Sequence, residues 1–510
     1  MRNTRPLALT LLAATAGAQT AVFSNAAPRA TSVVIPGSDL GAPSLRYWGA
    51  AATDGSRFLN FGGRAVNASG TAQLIYYNGL DAYDPATNTW TNLSPEGNPS
   101  APGNRFRAAM AYDPAGNRLV VFGGSPAPQV GSSDCWVFDL GTNTWSQIPN
   151  PVPGTSGPSE RFDAKLAYDG ASGTLVLFGG DGSGAGGGDR LGDTWFLAGT
   201  TWVPLVPATS PSARGLFAMT ARSAPYDDII LFAGKDVADV ALNDTWRWDG
   251  LASTWVQITP INATVPVSWC SGATAVYDPV RQVVTMIGGP GTGIAPSNTT
   301  AAGSWASEYD CVRNEWRAYG FDPANQVADD PVIGRIERAA TAFVNGKLYH
   351  WAGQNGPTIG DANLPFVKEY QASPVATSAV IGTGCNSSTG LLSLAADNDP
   401  WTGRNWSLTG SGFPAGSLGF AAVGLGTQSL LISSLHPAGG PGCVALVTLD
   451  AVQLVLPAAG QAAISFGLPV DPAFAGITLN AQQYCLELGG GGQITLISST
   501  NAIAGTLGAL

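Results

Sequence analysis

Histidine is almost missing from this chain: there are 2 among 510 residues, and charged residues of every kind make up only 12%. Lysine is especially scarce. So little titratable material argues against a dedicated acid–base enzyme. No Cys/His cluster has zinc spacing, and G-x-S-x-G, Walker and dinucleotide fingerprints do not occur in a convincing context. "GGDGSGAGGGD" (179–189) follows a strand but opens no helix, so nucleotide binding is rejected. Beyond the N-terminus no run of eighteen apolar residues is present, so no membrane-spanning helix is expected. Positive charge is also short. The formal charge is −11, which disfavours nucleic acid and anionic membranes as partners.

What the chain does have is Gly (66), Pro (36) and Trp (15), with apolar runs kept short between turn residues. That pattern suits an all-β protein of two or three domains. The N-terminus "MRNTRPLALTLLAATAGAQTA" has a basic start (Arg2, Arg5), an apolar stretch from Leu7 to Ala14 and a small-residue site at Ala16-Gly17-Ala18. It reads as a secretory signal peptide over residues 1–18, cut after Ala18. Its removal takes the basic residues from 24 to 22 against 35 acidic ones, a charge of −13. The expected location is therefore extracellular, periplasmic or cell-surface. Six cysteines in an exported chain make disulfides plausible; fifteen connectivities are possible, and spacing does not choose among them.

One segment recurs. "AYDPAGNRLVVFGG" (111–124), "AYDGASGTLVLFGG" (167–180) and "VYDPVRQVVTMIGG" (276–289) are near copies, and looser ones end at Gly63, Gly234 and Gly353. Each is a short strand, a polar turn, a second apolar strand and a glycine pair, which is a β-hairpin. An aromatic strand and a tryptophan follow, at Trp90, Trp145, Trp202, Trp255 and Trp316. Each unit is then a four-stranded meander. The "YDP" carboxylates Asp84, Asp113 and Asp278 are read as turn residues.

The final glycines are 54 to 64 residues apart. This period, the glycine pairs and an Asp-x-Trp opening of strand three (133–136, 192–195, 243–246) resemble the kelch repeat over about residues 31–372. The resemblance implies a β-propeller. Six units are expected over residues 30–373, with the mature N-terminus ("ATSVVIPGS", 30–38) supplying the last blade's fourth strand and so closing the ring. From residue 378 to 510 alternating strands read as a small β-sandwich. There "GTGC" (382–385), "GPGC" (440–443) and "VDPAFAGITLNAQQY" (470–484) look like a C-terminal β-domain of many secreted planctomycete proteins. That resemblance implies a Cys385–Cys443 disulfide. Cys311 is expected to face the second domain, with Cys485 as a possible partner. Cys270 opens an inner strand, too far from Cys311 to pair.

Candidate ligand residues come from the repeat. Arg46, Arg105, Arg161, Arg214 and Arg335 precede the first strand of their blades, 17 to 20 residues before the last glycine. They would surround one mouth of the central channel, a position that often contacts the partner in kelch domains. Arg64, Asp181, Lys235 and Gln354 follow the glycine pairs and open on the same face. The set would attract an extracellular protein or glycan with anionic character; the alternative is that the arginines bond blade carbonyls and aspartates. Kelch propellers also carry galactose-oxidase-like copper enzymes, which use two histidines. His350 falls in a strand at a position shared with Asn60, Val121, Leu177, Leu231 and Met286, which packs between blades, and His436 lies in a loop of the second domain. The reading preferred is a non-catalytic binding module without cofactor or metal; a carbohydrate-active enzyme is the alternative. Oligomeric state is not legible.

Overall fold

A computed structural model of the chain describes residues 30–34, 42–43, 46–66, 74–150, 152–183, 189–261, 273–287, 306–319, 340–351, 367–372, 376–469 and 474–508. It is almost entirely β. Ala109–Asp113 pairs antiparallel with Arg118–Phe122, which pairs with Cys135–Asp139, which pairs with Thr144–Ile148. The same meander recurs from Ala50–Thr53 to Thr89–Ser94, from Lys165–Asp169 to Thr201–Leu205, from Ala218–Arg222 to Thr254–Ile258, and from Thr274–Asp278 to Glu315–Tyr319. Asp113 Oδ1 accepts the Ala115 and Gly116 N–H groups, and Asp278 Oδ1 those of Val280 and Arg281. These carboxylates therefore build the turns.

The sixth sheet joins the two ends. Ala340–Val344, Lys347–Trp351 and Val367–Ala372 are completed by Ala30–Val34, with Ala30 opposite Ala372. The inner strands of the six sheets neighbour one another in a closed cycle, from Ala50–Thr53 through each blade in turn to Ala340–Val344 and back. This is the arrangement of a β-propeller.

The repeated residues hold neighbouring blades together. Trp145 lies 5.4 Å from Phe61 of the blade before it, Trp202 5.2 Å from Phe122, Trp255 5.2 Å from Phe178, and Trp90 5.2 Å from Trp351 across the closure. The indoles of Trp145, Trp255 and Trp316 donate to Ser94, Thr194 and Thr245 of the preceding blade. The glycine pair is the second tie. Gly124 N–H donates to the Arg161 carbonyl at 2.9 Å, and Gly63 N–H to that of Arg105 at 2.8 Å. Gly123 has φ +62°, and a Cβ there would lie 2.6 Å from the same Arg161 oxygen. Only glycine meets both conditions.

Residues 376–508 form a five-stranded and a three-stranded sheet around one core that includes Trp406, Leu408, Ile464 and Ile503. Cys385 and Cys443 are disulfide-bonded. The possible Cys311–Cys485 pair is not formed. Cys485 is enclosed in the sandwich core, Cys311 begins a turn of the fifth blade, and both are free, as is Cys135. Cys270 lies outside the described residues. The two domains touch where Arg404 pairs with Asp310 at 2.6 Å and donates to the Arg281 carbonyl, and where Trp401 packs with Val283 and Ala376. Arg281 sits in a hairpin turn and Asp310 ends a third strand. The contact is thus on the face opposite the glycine-pair loops.

Candidate functional site

The glycine-pair face is built by short bridges. Tyr47, Phe106, Phe162 and Gly215 each pair with the residue after a glycine pair: Arg64, Ser125, Asp181 and Lys235. The loops singled out from sequence therefore do share one mouth.

The arginines are not ligand-facing there. Arg161 and Arg214 are fully buried, Arg105 is 5% exposed and Arg46 2%. Arg105 donates to both oxygens of Asp134 (2.5 and 2.8 Å), to the Gly123 carbonyl and to the Gly103 carbonyl. Arg161 does the same with Asp193, Gly179 and Ser159, and Arg214 with Asp244, Ala233 and Ser212. The aspartate in each case is the one in Asp-x-Trp. Its second role is to accept the indole N–H of Trp136, Trp195 or Trp246. In the first blade Arg46 bonds Asp81 and Glu96 instead. Burial alone would raise the carboxyls of Asp134, Asp193 and Asp244, but the paired arginine and the indole outweigh it and hold all three below the usual range. The ligand role assigned to these four arginines is corrected: their charge is neutralised inside the blades. Arg335 and Gln354 lie outside the described residues.

The side chains that do line the mouth come two residues later. Trp48, Arg107, Asp163 and Leu216 each sit at φ between 54° and 58°. This left-handed conformation is uncommon for bulky residues and costs about 1 kcal/mol or more. All four line an axial cavity of about 120 Å³, together with Lys165, Met110, Met219 and a belt of alanines. Gly272 and Glu337 hold the corresponding sequence positions but lie outside the described residues.

Around these residues runs an arc of charge. Arg64 stacks on Trp48 at 4.2 Å, and Arg107 on the same ring at 3.7 Å. Arg107 contacts Asp163 at 3.2 Å, Arg190 contacts Asp181 at 3.2 Å, and Asp239 joins Arg190 to Lys235 at 2.9 and 2.7 Å. Burial, with the nearby charge of Asp163, pushes the Asp181 carboxyl up to about 6. Burial lowers the Lys165 ammonium, with Asp163 opposing that change. Sequence reasoning missed Trp48, Arg107, Asp163, Leu216, Lys165, Arg190 and Asp239. The available signal was variation within the repeat. The residues at Arg46, Arg105, Arg161 and Arg214 stay the same from blade to blade, whereas the residue two places on is Trp, Arg, Asp or Leu.

Among the described residues no group of three or more His, Cys, Asp or Glu side chains is arranged to hold a metal. His436 is exposed in the sandwich domain, and its Nδ1 accepts the Ala438 N–H. His350 lies in the strand Lys347–Trp351 opposite Thr341; its side chain is outside the described set.

Comparison with known proteins agrees with the ring. The chain is 33% identical over 128 residues to dynein regulatory complex subunit 7 of Chlamydomonas reinhardtii, covering 25% of this chain and 10% of that protein. It is 25% identical over 346 residues to serine/threonine-protein phosphatase BSL2 of Arabidopsis thaliana (63% and 31%), and 27% over 241 residues to mouse kelch domain-containing protein 1 (42% and 55%). It thus spans about half or less of each of these relatives. Residues 30–157 and 115–322 match the model of the KLHDC2/KLHL20/DRC7 Kelch-repeats domain. With the glycine pairs, the Asp-x-Trp aspartates and the inter-blade tryptophans accounted for by one closed ring, this chain belongs to the kelch-repeat family.

Proposed function

We propose that this protein is a secreted, non-catalytic interaction module that holds an extracellular protein or glycan at the mouth of its kelch ring. The observation that carries the reading is the placement of Trp48, Arg107, Asp163 and Leu216 in left-handed backbone around one cavity. Strain of this kind persists where the direction of a side chain matters. One relative is named as a subunit of a complex, which fits a kelch ring used for assembly. The signal-like leader and the Cys385–Cys443 disulfide suit an oxidising compartment. The anionic partner expected from the arginine ring loses its basis, because carboxylates neutralise those charges.

A photo-reactive residue replacing Leu216 tests the reading, with one at the fully exposed Val206, just past the end of an outer strand, as control. The full chain is incubated with a cell-surface extract and irradiated. Adducts are expected from position 216 and not from 206; the reverse pattern rules the mouth out. Sequencing the exported chain checks the leader, whose removal should leave Gln19 first.

A second reading is favoured by one feature. Burial and the nearby charge of Asp163 hold the Asp181 carboxyl near 6, and a raised carboxyl close to another carboxylate is the pattern of an acid–base pair. The corresponding function is an enzyme acting on an extracellular sugar. Turnover of aryl glycosides that is lost in Asp181→Asn would establish it.

A further inference from the structure

Most of the buried arginine ring is hydrogen-bonded to completion, but the mouth arc is not. Arg64 Nε, Arg107 Nε, Arg190 Nε and Nη1, Asp163 Oδ2 and Asp181 Oδ1 are buried and make no hydrogen bond. Arg107 with Asp163, and Arg190 with Asp181, touch as charges at 3.2 Å without the alignment of a hydrogen bond. Buried polar atoms in native proteins are nearly always satisfied, so six such atoms in one arc call for a physical explanation. The set contains four donors and two acceptors, and each carboxylate is in contact with an arginine.

We propose that this arc recognises the hydroxyl edge of a neutral sugar residue. The proposal rests on the reading that the mouth is the binding surface and names the chemistry of its ligand. An anion would face Asp163 and Asp181 as well as the arginines. A cation would face Arg107 and Arg190. A hydroxyl both donates and accepts, so neighbouring hydroxyls of one ring can each bridge a carboxylate and a guanidinium. The face of Trp48 is already covered by Arg64 and Arg107, which leaves no free platform there for a nucleobase or aromatic side chain. A cavity of about 120 Å³ is small for a ligand site and suits the end of a chain better than its middle. Arg107 and Asp163 line that cavity, and Asp181 and Arg190 lie outside its lining; Asp163 and Asp181 are 7% and 5% exposed, so both carboxylates are built into the fold.

The test uses the full-length mature protein on an array of neutral glycans, acidic glycans and peptides, followed by calorimetric titration of each hit. Asp163→Asn and Asp181→Asn keep the shape of the site, and Leu216→Glu blocks the mouth; thermal midpoints confirm that each variant folds. Saturable binding of a neutral glycan is expected. It should weaken about ten-fold or more in either Asn variant and vanish in Leu216→Glu. Binding only of acidic glycans or of peptides, abolished by Leu216→Glu, overturns the sugar proposal and leaves the mouth as the binding surface. Glycan binding that survives all three variants overturns the mouth reading itself. An array with no glycan signal overturns the sugar proposal.

Discussion

Two groups of Arg–Asp contacts lie two residues apart in the sequence and behave oppositely. Arg161 and Asp193 meet in two aligned hydrogen bonds, the remaining guanidinium nitrogen is bound to a carbonyl, and the aspartate also holds an indole. Arg107 and Asp163 meet as charges only, on left-handed backbone, around a cavity. The first arrangement repeats in three blades with nearly the same distances. The second changes residue type at every blade. In a repeat protein, a position that recurs serves a contact every unit must make, within itself or with its neighbour, and a position that varies is free to meet something else.

Three perturbations separate the two groups. The largest effect is expected from Arg161→Ala. It leaves Asp193 without its partner and Gly179 without a donor to its carbonyl. The cost is about 3 kcal/mol, the low end for a broken buried pair because Asp193 is partly solvated. Arg107→Ala breaks no aligned hydrogen bond, only a cation–π contact of about 1 kcal/mol and the 3.2 Å charge contact with Asp163, so it should cost less than Arg161→Ala. Denaturant midpoints of the two variants measure the gap, and equal losses would erase the distinction. The second perturbation is pH. Asp181 titrates near 6 in the folded protein and at about 3.9 when unfolded. A raised carboxyl makes the folded state gain stability as pH falls from above 6 toward 4. The gain is about 3 kcal/mol at most, and Asp181→Asn should remove it. Asp134, Asp193 and Asp244 are held low. Their contribution is present above about pH 4 and is lost as pH falls further. A thermal midpoint that rises from pH 7.5 to 5 and then drops in acid shows both groups in one curve; a midpoint that falls steadily from pH 7.5 would contradict the assignment. The smallest effect is expected from Leu216→Gly. Relief of the left-handed strain is favourable by about 1 kcal/mol, offset in part by lost packing, so stability should hold or rise slightly while ligand binding falls.

The fold was largely legible because its ties recur. Gly123, Trp145 and Asp134 have counterparts at a regular period: the glycine meets the next blade, the tryptophan the preceding one, and the aspartate the arginine of its own blade. The Asp113 and Asp278 turns were also readable, since an aspartate ahead of a polar tetrad bonds its own backbone. The site was legible to within two residues. The arginines drew attention as positive charge in an acidic chain, yet their partners, the aspartates of Asp-x-Trp, lie some thirty residues further on, and only the folded blade brings them together. Left-handed backbone at Trp48 or Leu216 has no sequence signature, because glycine or asparagine would be the ordinary choice there. The joint at Arg404 and Asp310 was unreadable for a similar reason: one arginine and one aspartate carry no mark of belonging to different domains.

The pairing of Ala30–Val34 with Val367–Ala372 sets an order of events during synthesis. The first strand needed for the ring leaves the ribosome at the start, and its partner emerges more than three hundred residues later. Until then the first strand has no edge to pair with, and the two ends of the growing sheet array stay open to other strands. Closure is therefore a late, single event. A chain stalled or truncated before residue 367 would present unpaired edges whatever the quality of its individual blades.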